Sequence, residues 1–134
     1  MNLPILNTKD VARLEKTKTL LYSNHGWGKT TACKHYQEHF GPGLILSGEA
    51  GLKSLGKSEI DYMPFSSWDG KHEPEDGVLS FVGITKIMNT EAFKKKDYQW
   101  VAIDSLTELS ERLLSHLEKK HEGNKNKFEI WSDY

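Results

Sequence analysis

The sequence predicts an α/β fold, a mainly parallel β-sheet with helices on both faces in three layers. Three observations predict it. Short apolar runs such as Leu44-Ile45-Leu46 alternate with segments of helical period. A glycine-containing loop, Ser23 to Thr31, stands between the first apolar run and the first well-marked helix. A later run, Trp100-Val101-Ala102-Ile103, ends in the acid Asp104 just where another helix begins. Parallel strands are buried on both faces, so they read as continuous apolar stretches rather than as alternation.

Taken in chain order, each element has its own signal. Asn7 or Thr8 starts a helix that runs to Lys16, with Val11 and Leu14 on one face. Thr19-Leu20-Leu21-Tyr22 reads as the first strand. Beyond the loop, Cys33, Tyr36 and Phe40 recur at helical spacing, and Gly41-Pro42-Gly43 ends that helix. The second strand, Leu44 to Leu46, leaves through Ser47-Gly48-Glu49, and a third lies around Tyr62 to Phe65. Asp69 to Gly77, with Pro74 and mixed charge, reads as an exposed loop. A helix is expected between Val82 and Lys96. After the strand ending at Asp104, Leu106, Leu109, Leu113, Leu114 and Leu117 form one apolar stripe, and Gly123 to Lys127 breaks the helix.

A chain of 134 residues is one domain's worth. The reading is a single domain over 1–134, with a helical lead-in at 1–17 and the core at 18–134. A formal net charge of −1 excludes a global field for nucleic acid, so any such contact needs a local basic patch. The single cysteine, Cys33, allows no intrachain disulfide, which fits a reducing compartment. With no apolar run of signal or membrane-spanning length, the chain reads as cytoplasmic and away from membranes. His116 and His121 are five apart, a poor spacing for two metal ligands on one helix face. Cys33 falls on an apolar stripe and reads as core.

The chemistry concentrates in the loop Ser23-Asn24-His25-Gly26-Trp27-Gly28-Lys29-Thr30-Thr31. Its end matches the phosphate-loop pattern G-x-x-x-x-G-K-[ST] at Gly28, Lys29 and Thr30. Several backbone N–H groups must converge on a polyphosphate, and glycine lets the chain fold that tightly. The following helix, expected to begin near Gly28, adds its N-terminal dipole. Lys29 suits the β and γ phosphates of ATP, or alternatively GTP, and the Thr30 hydroxyl suits Mg²⁺. Ser23 stands where the pattern has its first glycine, so the turn there uses ordinary dihedrals or strain. His25 points to phosphate or to solvent, and Trp27 reads as a shield over the loop. Asp104 is placed for Mg²⁺, directly or through water, the alternative being a cap on the next helix. Glu49 leaves the second strand at the same sheet edge, where a carboxylate can activate water or remain a loop acid.

At Gly28-Lys29-Thr30-Thr31, at Ser47-Gly48-Glu49-Ala50-Gly51-Leu52 and at Val101 to Leu109, the chain resembles RecA-like, AAA-type P-loop ATPases encoded by bacteriophages. Among these the nearest resemblance is to the phage ATP-binding single-strand annealing and recombination proteins, and Ile103 to Leu109 is its most specific stretch. The resemblance runs from about Thr19 to Tyr134 and implies a three-layer P-loop NTPase fold. It implies ATP and Mg²⁺ as ligands, hydrolysis with Glu49 as base and Lys29 on the phosphoryl group, and metal contacts from Thr30 and Asp104. It further implies work in DNA recombination within the host cytoplasm, with single-stranded DNA, further copies of the chain or a phage recombination protein as partners. Relatives continue into strands that carry a γ-phosphate sensor and DNA-binding loops, so the expectation is the N-terminal part of such a core, truncated at its C-terminal edge, or a natural minimal version of it. Arg13 and Arg112 are the only arginines and neither lies near the loop in sequence, so an arginine finger is expected from a neighbouring subunit. The competing reading is a nucleotide-dependent switch or binding module that does not turn over.

Overall fold

The computed structural model describes residues 17–24, 26–48, 51–70 and 79–122. Helix α1 spans Ala32–Phe40, strand β1 Gly43–Ser47, a 3-10 helix Gly51–Leu55, and strand β2 Asp61–Ser67. Strand β3 is Leu79–Ser80, followed by α2 at Phe81–Met88 and α3 at Glu91–Lys94. Strand β4, Trp100–Asp104, feeds α4, Leu106–Lys120. The strands form one four-stranded sheet in the order β3-β2-β1-β4, and every pairing is parallel.

β1 lies inside the sheet, and all five of its residues are buried. Its side chains divide between two cores, because successive residues of a strand point to opposite faces. Leu44 and Leu46 join Phe65 and Ile84 on one face, against which Phe81, Met88, Phe93 and Leu109 pack from α2, α3 and α4. Ile45 joins Cys33 of α1 and Leu55 of the 3-10 helix on the other, with Trp100 and Ala102 against them. Helices on both faces of a parallel sheet make the three-layer α/β architecture that the sequence predicts. Gly43 begins β1 because a Cβ there would meet the Trp100 ring at 1.9 Å. The Trp100 Nε1–H donates to the Gly41 carbonyl at 2.9 Å and holds the indole over this corner.

Four expectations change. Thr19 to Tyr22 is not a strand: β4 pairs with β1, and Leu20, Leu21 and Tyr22 are 73%, 48% and 96% exposed. An apolar run has the composition of a strand, but it becomes one only where a neighbouring backbone offers its ladder. Helix α1 begins at Ala32, not near Gly28, and Lys29 to Thr31 form turns before it. The helix expected between Val82 and Lys96 is two helices, since Thr90 takes extended dihedrals and its Oγ1 accepts from the Phe93 amide at 3.3 Å. Thr90 thereby caps α3 and interrupts the run. β3 and the 3-10 helix have no signal in the sequence, both being too short to carry a period. The helix from Asn7 to Lys16, the break at Gly123 to Lys127 and most of the loop at Asp69 to Gly77 lie outside the described residues. Among the described residues no helix is long and apolar enough to cross a membrane.

Candidate nucleotide site

Parallel pairing brings the C-terminal ends of β1 and β4 side by side, with Ser47 opposite Asp104. The Gly48 amide donates to the Asp104 carbonyl at 2.8 Å, so the two strand exits are tied together beyond the ladder. Across this edge lies the loop that precedes α1. Gly26 and Gly28 hold φ of 82° and 79°, left-handed conformations that favour glycine. That explains the glycine at both places, including Gly26, which the motif does not specify. Among the described residues the non-glycine positions with positive φ are Glu59 and Asp97, so Ser23 makes its turn with ordinary backbone.

Lys29 is folded back onto the loop. Its Nζ donates to the Ser23 carbonyl at 2.9 Å, to Ser23 Oγ at 3.3 Å and to the Asn24 carbonyl at 2.9 Å. One turn-residue later, Thr30 Oγ1 donates to Asp104 Oδ2 at 2.7 Å, joining groups 74 residues apart. Asp104 is not the helix cap. That role falls to Ser105, whose Oγ accepts from the Glu108 amide at 3.3 Å. The Asp104 carboxylate is therefore directed to the phosphate loop. Thr31 is exposed and precedes α1 without a side-chain capping bond. Trp27, 77% exposed, stands out from the loop into solvent.

Cys33 is buried with Ile45 and Leu55, which places it in the core as its stripe position predicts. Burial, and then the negative charge of Asp104, push its thiol up to about 11. A thiolate is disfavoured there on both counts, against a nucleophilic role.

The structure thus gathers Ser23, Asn24, Lys29, Thr30 and Asp104 in one place, with Gly26, Trp27 and Gly28 shaping the loop between them. His25 and Glu49 lie outside the described residues. A threonine hydroxyl and a carboxylate in contact are hard oxygen donors. They fit Mg²⁺, which is held by few protein ligands and keeps several waters. Among the described residues no group of three or more His, Cys, Asp and Glu forms a metal cluster. Two residues at this edge carried no role in the sequence reading, Glu108 and Arg112. The S-x-x-E spacing of Ser105 and Glu108 marks a capping box and was the one signal available for them.

A glycine-turned loop with a lysine and a hydroxyl, set on the C-terminal edge of a parallel sheet beside a strand-end acid, defines a nucleotide-binding domain of the P-loop type. The chain belongs to the AAA domain family, which it matches over residues 15–133, and this membership carries nucleotide binding and ATPase character with it. No curated protein and no solved structure gives a significant match.

Proposed function

We propose that the chain is the Mg²⁺-dependent, ATP-hydrolysing core of a phage protein of DNA recombination or single-strand annealing. The observation that carries the catalytic half of this reading is the contact between Thr30 Oγ1 and Asp104 Oδ2 at 2.7 Å, beside a lysine held by loop oxygens. Lys29 is an ammonium surrounded by weaker acceptors than a phosphate. An incoming β–γ phosphate group displaces the Ser23 and Asn24 carbonyls, because a charge-assisted bond to an anion is the stronger one. The displaced loop then presents its amides, and Gly26 and Gly28 supply the backbone conformations for it.

Thr30 and Asp104 would hold Mg²⁺, and the metal would supply charge stabilisation on the phosphates. Glu49, one residue beyond Gly48 and so beyond the β1 exit, is the base that orients and deprotonates the attacking water. Arg112 is bonded to Glu108 at 3.0 Å, and neither it nor Arg13 lies near the loop in sequence, which supports an arginine for the phosphoryl group supplied by a second copy or a partner. Hydrolysis is then dependent on assembly, and single-stranded DNA is the macromolecular ligand that promotes it. The recombination role and the DNA partner rest on the resemblance of Ile103 to Leu109 and its flanking motifs alone.

Phosphate release from Mg-ATP, measured with and without single-stranded DNA and across protein concentration, tests the reading. A rate that rises with both supports it. Tight nucleotide binding with no release under any of these conditions selects the non-hydrolysing switch instead.

A further inference from the structure

Gly48 sits in a space that admits no side chain. A Cβ there would meet Phe65 Cζ at 2.7 Å and the Cβ of Glu108 at 2.8 Å. On its other side the Gly48 amide is bonded to the Asp104 carbonyl at 2.8 Å. The stem of Glu108 therefore lies close against the exit of β1, which the Gly48 amide ties to the exit of β4 at the residue whose carboxylate meets Thr30. Glu108 does not hang free from α4: its Oε2 accepts from Arg112 Nη2 at 3.0 Å, and its side chain is 24% exposed. Arg112 Nε is shielded from solvent with no hydrogen-bond partner. Leaving a donor unmet costs stability.

We propose that Glu108, braced by Arg112, is a positioning residue for Asp104, holding the β4 exit through Gly48 so that the carboxylate stays aimed at Thr30 and the metal. The proposal rests on the reading of Asp104 as the Mg²⁺-linked acid. It acts on the metal half of the site and leaves the Lys29 cradle alone, since no bond joins Lys29 to Glu108, Arg112 or Gly48. Removing the brace weakens Mg²⁺-linked nucleotide binding and spares the binding that needs no metal.

The experiment uses the full chain, the near-isosteric variant Glu108→Gln, and Arg112→Met with Arg112→Lys as its conservative partner. Binding of a fluorescent ATP analogue is titrated with Mg²⁺ and repeated in EDTA, and the Gly48 amide is followed by hydrogen exchange without nucleotide. The Mg²⁺ concentration for half-maximal binding is expected to rise about tenfold in Glu108→Gln and Arg112→Met, the lower end of what loss of a metal site's supporting partner costs. Binding in EDTA stays within about twofold, Gly48 exchange speeds up, and Arg112→Lys recovers most of the Mg²⁺ response. In an Asp104→Asn background, Glu108→Gln adds no further shift. An unchanged Mg²⁺ requirement in Glu108→Gln, where Asp104→Asn raises it, overturns the proposal and leaves the reading of Asp104 standing. A lowered melting temperature with the Mg²⁺ requirement unchanged likewise reduces Glu108 to a residue that only stabilises α4. No rise in Asp104→Asn itself overturns the metal reading, and this proposal with it.

Discussion

Replacing Lys29 with alanine takes an ammonium out of a cradle of three oxygens, at 2.9, 3.3 and 2.9 Å. Without nucleotide, these bonds tie a part-exposed side chain to a largely exposed loop, and such contacts contribute about 1 kcal/mol or less. Unfolding entropy near 2.1 cal/mol/K per residue gives roughly 0.28 kcal/mol/K for this chain, so the apo melting point falls by about 4 °C at most. Mg-ATP at a hundredfold over its Kd stabilises the intact protein by about 2.7 kcal/mol, a rise of about 10 °C. If the alanine variant binds a hundredfold more weakly, the same nucleotide concentration yields about 0.4 kcal/mol, or about 1.5 °C. The melting shift must therefore all but vanish while the apo protein barely changes. Differential scanning calorimetry of both proteins, with and without Mg-ATP, measures the four midpoints. An equal nucleotide shift in Lys29→Ala and the parent, or none in the parent, refutes the assignment of Lys29 to the phosphates.

Three further outcomes are expected. Glu49→Gln lowers the rate of phosphate release by about 10²–10⁴-fold with ATP affinity nearly intact, because loss of a base falls on turnover; equal rates in the two proteins return Glu49 to a loop acid. Ser23→Gly destabilises by roughly 0.4–1 kcal/mol, since Ser23 already has ordinary backbone and glycine only adds freedom to the unfolded chain; paired melting curves that show a gain in stability contradict this. The Cys33 thiol, raised from 9.0 to about 11, contributes stability in full below pH 9 that is lost as pH climbs through 11. Cys33→Ala flattens the fall of the melting point across that window, and a chromogenic disulfide reagent at pH 8 reacts with native Cys33 far more slowly than with the unfolded chain; identical pH slopes or rapid native labelling count against the buried thiol.

What the sequence determined by itself is what one stretch of chain can encode. Leu44 to Leu46 and Trp100 to Ile103 are apolar without interruption and become β1 and β4, β1 flanked on both sides and β4 paired with β1 alone among the described residues, and the leucine stripe from Leu106 to Leu117 becomes α4. Gly28, Lys29 and Thr30 form a pattern legible locally, because glycine, charge and hydroxyl stand in consecutive places as an anion site requires. Asp104 allows two readings in the sequence, and in the structure Ser105 occupies the helix cap while the Asp104 carboxylate accepts from Thr30. Only the tertiary structure decided the rest. Thr19 to Tyr22 has a strand's composition and lies unpaired, since pairing belongs to the neighbour and not to the residues. Thr90 divides one helical pattern into two helices by turning its hydroxyl back to Phe93. Glu108 and Arg112 look like surface charges in the sequence, and they acquire a place at the site because parallel pairing carries Gly48 to Asp104 and α4 folds back over both. Thr30 and Asp104 are each expected at one metal from their separate motifs, and the direct contact between them across 74 residues is made by packing.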